Sequence, residues 1–328
     1  MRLRQAVHYG MRFAANALAG ASPRILYVEV TKRCNAFCDF CPYWQTHRRD
    51  ELTDYAPIVA RMRPFCVTFT GGEPLIRRDM VELVRKVTAL PERPYTALLT
   101  NGWLLSPEKA RALREAGLEQ VSISVDYVGE PHDRQRGLPG LYSRIESRMP
   151  ELRKVGFDRI VVNTVIMESN LDHVIRIAKL TAKWGVYSSF SCYSTLKTDS
   201  SGELVKPEQM RLLRRTIDEI RRLKRTQSNI ISSDFYLERA IEYFENGGRV
   251  GDRCEAAGRR FFHVDPWGYV KICPEFEPFA HWTELDEKKP APHTCTRCWY
   301  GCRGENEAPI TLARIRDLRV PLPLVSSR

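Results

Sequence analysis

Ile25-Leu-Tyr-Val-Glu-Val-Thr31 runs, two residues later, into Cys34-Asn-Ala-Phe-Cys38-Asp-Phe-Cys41. The first stretch is dominated by β-branched and aromatic residues and reads as a strand. The second sets three thiols at CxxxCxxC spacing in the loop that follows it. Working outward, further strands are expected at residues 66–70, 95–100, 120–125, 160–166 and 186–191, with helical patterns around 78–89, 106–116, 141–155, 170–184 and 207–224. Ser106-Pro107 puts proline at a first helical position, and Gly117 and Gly156 sit where helices end on glycine. Six strand-helix units over about 200 residues give about 33 residues per unit, the size of a βαβ building block. The expected fold is α/β with a parallel sheet, curled into a full or partial barrel or left open.

The chain has 328 residues, 43% hydrophobic and 28% charged, enough for one large domain or two ordinary ones. No run of 18 apolar residues exists, which excludes a membrane-spanning helix. Net charge is +11, so the surface should attract something acidic. Arginine-rich stretches such as 211–215 and 221–225 read more simply as solvated helix faces than as binding stripes. Residues 1–28 hold no acid, while Val7, Met11, Ala14 and Leu18 fall on one helical face. His8, Gly10, Arg12 and Asn16 interrupt any secretory apolar core. Residues 1–24 therefore read as a basic amphipathic helix that either lies on an anionic membrane surface or covers an end of the neighbouring domain.

Past Gly247-Gly248 the chain turns rich in Cys, Pro and aromatic residues. The expected layout is the helix at 1–24, a strand-helix body at 25–250, a small cysteine-rich unit at 251–310 and a tail at 311–328. Ten cysteines, several of them in tight clusters, point to metal rather than disulfides, hence to a reducing, cytoplasmic setting, with membrane association left to the N-terminal helix.

Three thiolates at this spacing can hold three irons of a [4Fe–4S] cube and leave the fourth iron open. The competing reading is zinc, with Cys66 as the fourth ligand. Cys66 taken alone reads as a buried thiol acting as a small hydrophobe. The second strand runs into Thr70-Gly-Gly-Glu73-Pro74. Two glycines let backbone approach a ligand closely, and Glu73 offers an acceptor for an ammonium group.

With Phe40 beside the third cysteine, this combination over residues 25 to about 200 resembles the radical S-adenosylmethionine (radical SAM) enzymes. The resemblance implies a partial (β/α)6 TIM-like barrel. It implies that Cys34, Cys38 and Cys41 ligate a [4Fe–4S] cluster whose open iron chelates S-adenosyl-L-methionine (SAM), with Gly71, Gly72 and Glu73 at its amino group. Thr100, Asn101, Ser124 and Asp126 then resemble ribose-side contacts. His132-Asp-Arg-Gln-Arg136-Gly137 resembles a segment whose arginine reaches the SAM carboxylate, and Asn163 a polar cofactor contact. Arg136 as a plain surface arginine, and Asn163 as a satisfier of backbone groups, are the competing readings. The family also implies a one-electron reductant of flavodoxin or ferredoxin type.

Cys254, thirteen residues, Gly268, four residues and Cys273, then Cys295-Thr-Arg-Cys298-Trp-Tyr-Gly-Cys302, resemble the opening of the SPASM and twitch auxiliary-cluster extensions. The ending departs from the full SPASM pattern: CX2CX3C stands where CX2CX5CX3C is expected. A shortened unit with one auxiliary [4Fe–4S] cluster and one spare thiol is the expectation, against zinc.

The function implied is reductive cleavage of SAM to a 5′-deoxyadenosyl radical that abstracts hydrogen from an unactivated C–H bond of a small-molecule or lipid substrate. Modification of a peptide or protein is the alternative, since the C-terminal unit resembles peptide maturases best. A zinc- or iron-sulfur-containing nucleic-acid-binding protein is the reading from another class, but no recognition-module spacing accompanies the positive charge. No P-loop, nucleophile elbow or GxGxxG after a strand offers another chemistry.

Overall fold

The computed structural model of the chain describes residues 9, 23–311 and 314. The expected helix at 1–24 and most of the tail at 311–328 lie outside the described residues. Chain order is β1 (Ile25–Thr31), α1 (Ala56–Met62), β2 (Cys66–Gly71), α2 (Met80–Thr88), β3 (Tyr95–Thr100), α3 (Pro107–Glu115) and β4 (Gln120–Ser124). Then come α4 (Glu130–Arg136), α5 (Leu141–Lys154), β5 (Arg159–Ile166), α6 (Leu171–Trp184), β6 (Tyr187–Cys192), α7 (Met210–Thr226) and α8 (Asp234–Glu245). The chain closes with β7 (Phe261–Val264), β8 (Tyr269–Lys271), β9 (Ala280–His281) and α9 (Gly301–Glu307). All six expected strands and all five expected helices form, within a few residues of their read bounds. The strands are mostly parallel and the sheet does not close into a barrel, the partial-barrel α/β class.

Two compact units partition the chain. The first is built from Met1–Ser122, Glu151–Asp158 and Glu255–Pro292, the second from Ile123–Pro150, Arg159–Cys254 and His293–Arg328. Residues 251–310 are thus shared between them.

In the first unit β1 pairs parallel with both β2 and β7, and β2 with β3. β8 and β9 continue antiparallel beyond β7. Period-2 alternation divides the faces. Leu26, Val28, Val30, Val67, Phe69 and Leu98 are fully buried, on the same side as one another in register. The opposite face of β1 carries Tyr27, Glu29 and Thr31, and there Tyr27 stacks on His263 of β7, ring centroids 4.6 Å apart. Ser106 caps α3 by accepting from the Lys109 N–H, with Pro107 at the first turn as read from the sequence. Tyr9 of the N-terminal segment is buried, edge-on to Phe65 and Tyr95, and its hydroxyl donates to buried Glu119.

In the second unit β5 and β6 pair in parallel from Val161↔Tyr187 to Ile166↔Cys192. α7 buries Leu213, Ile217, Ile220 and Leu223 in one core with Ile166, Val174, Phe190, Tyr236 and Trp299. Each such aliphatic side chain contributes about 1.5–3 kcal/mol when fully buried. Ser233 caps α8, and Gly247 and Gly248 beyond its end take φ of 61° and 82°.

Candidate functional site

The cysteine loop begins where β1 ends, and its entry is fastened by the end of β2. Gly72 N–H donates to the Thr31 carbonyl (2.8 Å) and Glu73 N–H to the Arg33 carbonyl (2.9 Å). A Cβ at Gly71, whose φ is 137°, would lie 2.0 Å from the Thr31 oxygen, and one at Gly72 2.1 Å from the Arg33 oxygen. The two glycines are therefore required by backbone-to-backbone approach within the fold. Glu73 is fully buried, and its carboxylate accepts from the Leu75 N–H (3.0 Å), the Thr100 hydroxyl (2.7 Å) and the Asn101 N–H (2.8 Å). Asn101 in turn donates through Nδ2 to Asn35 Oδ1 (2.9 Å), inside the cysteine loop. Gly71, Gly72, Glu73, Thr100 and Asn101 are thus one connected assembly with that loop.

Within the loop the Ala36 N–H points at Cys34 Sγ (3.4 Å), and Cys41 N–H donates to the Cys38 carbonyl (3.2 Å). Burial pushes the Cys34 thiol up to about 12; the Ala36 N–H opposes this, while Glu73, Cys38 and Cys41 add to it by charge repulsion. The three thiols and one carboxylate therefore share a neighbourhood. Among the described residues no three His, Cys, Asp or Glu side chains converge as ligands of a single ion would. A four-iron cube takes each thiolate on a separate iron and does not ask for that convergence. Three clustered thiols and an N–H aimed at one sulfur fit such a group.

The zinc reading with Cys66 as fourth ligand is corrected by register. Cys66 pairs with Ile25 at the start of β1, whereas the loop follows Thr31, about 20 Å away along the strand. Burial pushes the Cys66 thiol up to about 12, as it does Cys34, so position in the strand is what separates the two.

In the second unit Arg136 is almost wholly buried and ion-paired to the buried Asp126, so the surface-arginine reading is corrected. Asp126 Oδ1 also accepts from the Val165 N–H (2.9 Å), and Asn170 Nδ2 donates to the Asp126 carbonyl (3.0 Å). His132 Nδ1 accepts from the Asp126 N–H (3.3 Å), and burial, with Arg136 second, holds the imidazole down to about 3. Asp133 accepts from Gly140 and Tyr142 N–H groups (both 2.7 Å), starting α5. Ser124 ends β4, and Asn163 on β5 bonds the Ser189 hydroxyl across to β6.

The C-terminal cysteines divide between the units. Cys254, Cys295, Cys298 and Cys302 belong to the second and Cys273, just after β8, to the first. Cys254 N–H donates to the Cys295 carbonyl (2.8 Å). Burial pushes the Cys298 thiol up to about 12; the Tyr300 backbone and Arg303 oppose this, Cys254 and Cys295 add to it. Trp299 is fully buried and stacks on Tyr236, 5.8 Å between centroids, while Arg303 bonds the Cys298 and Asp252 carbonyls (3.1 and 2.6 Å).

Sequence reasoning missed Asn35, Asn170 and the residues that bond the flanks of the cysteine loop: Glu29, which accepts from the Tyr43 hydroxyl (2.7 Å), and Glu51, which accepts from the Thr31 hydroxyl (2.7 Å) and Arg33 Nε (3.0 Å). A charged residue at the alternate position of an otherwise apolar strand was the available signal for Glu29. The others are recruited across the chain and leave no local signature.

Residues 28–181 match the family described as the radical SAM superfamily. The chain is 32% identical over 202 residues to an AdoMet-dependent heme synthase of Methanosarcina barkeri, covering 58% of this chain and 57% of that protein. It is 34% identical over 170 residues to a GTP 3′,8-cyclase of Pelotomaculum thermopropionicum, covering 48% and 51% respectively. The chain thus spans about half the length of the curated relatives it matches. Among solved structures it resembles Streptococcus suis SuiB bound to S-adenosylmethionine, with TM-score 0.62 and 17% identity over 77% of this chain and 61% of that one. At that identity the likeness shows the fold alone.

Proposed function

We propose, from the match of residues 28–181 to the radical SAM superfamily, that this protein is an enzyme that reductively cleaves SAM and abstracts hydrogen from an unactivated C–H bond of a small molecule. The observation that carries the reading is the fastening of the CxxxCxxC loop to the Gly71-Gly72-Glu73 backbone, which binds the cysteines and the glycine-rich turn into one assembly. Cys34, Cys38 and Cys41 would hold a [4Fe–4S] cluster. Gly71, Gly72, Glu73, Thr100, Asn101, Ser124, Asp126, Arg136 and Asn163 are the residues proposed for SAM. When bound, the pair supplies one-electron cleavage of a C–S bond, the electron coming from a flavodoxin or ferredoxin type carrier. The chain's own part is orientation. Glu73 ties the β2 end to Thr100 and Asn101, and the Asp126–Arg136 pair is braced by Val165, keeping charged groups fixed before a substrate arrives.

Small-molecule chemistry is supported by the curated relatives, named for heme synthesis and GTP cyclisation. The lipid expectation rested on the N-terminal segment, and the burial of Tyr9 favours a covering role for it. A peptide substrate is the second reading, supported by the fold shared with SuiB, which is known bound to precursor peptide SuiA. Four of the five thiols Cys254, Cys273, Cys295, Cys298 and Cys302 are proposed to supply an auxiliary [4Fe–4S] cluster, the fifth being spare.

Anaerobically reconstituted protein should release 5′-deoxyadenosine from SAM under a strong reductant, and the Cys34→Ala, Cys38→Ala, Cys41→Ala protein should not. Cleavage retained in that variant would remove the proposal. About eight irons per chain are expected with both clusters and about four in the triple variant; four irons plus one zinc would identify a zinc-bearing C-terminal site.

A further inference from the structure

Both arms of the cysteine loop meet on one buried carboxylate. Glu29 projects from the polar face of β1, and its side chain is 5% exposed. Lys32, two residues before Cys34, pairs with Glu29 Oε2 (3.3 Å). Tyr43, two residues after Cys41, donates its hydroxyl to Glu29 Oε1 (2.7 Å). The Lys32 ammonium also lies 4.6 Å from the centre of the Tyr43 ring, so the two arms touch each other as well as the carboxylate. A second carboxylate, Glu51, takes the Thr31 hydroxyl (2.7 Å) and Arg33 Nε (3.0 Å), both on the entry arm. Glu51 thereby ties the entry arm to the chain ten residues beyond Cys41, whereas Glu29 receives the exit arm itself, through Tyr43.

We infer that Glu29, with Lys32 and Tyr43, is a clasp that closes the mouth of the Cys34–Cys41 loop, making Glu29 a positioning residue for the three thiols. Without this tie, Cys41 would sit on an arm fastened to the entry only through contacts farther along the chain, and it would sample more conformations. The entropy of ordering that arm would then be charged to metal binding. The clasp removes that cost in advance and keeps one cation, Lys32, beside a site that gathers thiolates. The inference rests on the proposed cluster for its metal readout, and it has a second readout that does not.

In the reconstituted holoenzyme, Glu29→Ala and Tyr43→Phe should lose loop-bound iron to a chelator at least ten-fold faster than wild type. Glu29→Gln keeps an acceptor for Tyr43 and should stay within about three-fold, while its loss of a buried negative charge moves the cluster's reduction potential to a more positive value. Glu51→Gln, which leaves the Lys32–Glu29–Tyr43 contacts in place, should fall nearer wild type than Glu29→Ala. Thermal melting of each variant separates loosened loops from failed folds. Wild-type iron loss in a folded Glu29→Ala protein would overturn the clasp. Should wild type bind no cluster at Cys34, Cys38 and Cys41, the proposed activity fails by itself, and the clasp is read in metal-free protein by hydrogen exchange. The Cys41 and Thr46 amides, bonded to Cys38 and Tyr43 carbonyls, should then exchange at least ten-fold faster in Glu29→Ala, with the Leu52 amide unchanged. Unchanged exchange at Cys41 and Thr46 overturns it equally.

Discussion

The cysteines at 34–41 and those at 254–302 are held by different means. The first set lies in one short loop whose entry is stitched by backbone hydrogen bonds to Gly72 and Glu73 and whose arms are gripped by Glu29 and Glu51. In the second unit, Cys254 and Cys295 are brought together across forty residues by one backbone bond, beside a core in which Trp299 stacks on Tyr236. The loop depends on close backbone approach and the C-terminal set on packing. Damage to each should therefore look different.

Gly72→Ala should have the largest effect. Its Cβ would meet the Arg33 and Lys32 backbone within 2.6 Å, and backbone cannot swing aside as a side chain can. A loss of more than about 4 kcal/mol is expected in the first unit, read as absent loop iron and a lowered melting transition. A stable, iron-loaded Gly72→Ala protein would mean the stitching is dispensable.

Trp299→Ala should cost about 3–5 kcal/mol, the usual range for deleting a fully buried Trp, with Tyr236 losing its stacked partner. Iron bound by Cys34, Cys38 and Cys41 should survive in whatever protein remains folded. Loss of that iron before loss of C-terminal metal would blur the contrast between the two sets.

His132 sharpens the comparison through pH. Burial keeps its folded pKa near 3, below the unfolded value of 6.5. The unfolded chain therefore takes up a proton first as pH falls. The neutral histidine's contribution is fully present above about pH 6.5 and drains away toward pH 3, at about 1.4 kcal/mol per unit. Denaturant melts of His132→Asn between pH 7 and 5 should show a shallower decline than wild type, and parallel declines would refute the assignment.

Tyr9→Phe should have the smallest effect. Glu119 keeps the Thr96 N–H (2.9 Å) but loses the Tyr9 hydroxyl. A cost of about 1–3 kcal/mol is expected for a buried acceptor left short. Co-sedimentation of the same variant with anionic vesicles should match wild type if the segment covers the domain end; greater vesicle binding on undocking would return the segment to the membrane.

Much of the fold was legible because its signals are local. Short runs rich in β-branched, aromatic and aliphatic residues at 25–31, 95–100 and 160–166 mark strands, and Ser106-Pro107 marks a helix start, since each reports a propensity or a cap set by neighbours in the chain. The missed elements, α1, α4, α8, α9 and β7 to β9, are short or carry mixed patterns, and β7 becomes a strand by lying between β1 and β8.

The chain by itself determined the CxxxCxxC spacing, the two glycines after β2 and the alternation that turns Glu29 to the polar face of β1. All of these are fixed by covalent order and by the geometry of one element. Tertiary structure alone decided their partners. Glu29 grips both Lys32 and Tyr43, Glu73 spends three bonds on the fold, Arg136 is paired inside rather than solvated, and Cys66 stands at the far end of its strand from the loop. Cys273 likewise falls in a different unit from the four cysteines it resembles in sequence. The physical reason is common to all: a hydrogen bond or ion pair between residues distant in sequence is specified by how elements pack, and packing is not written in the spacing of any one segment.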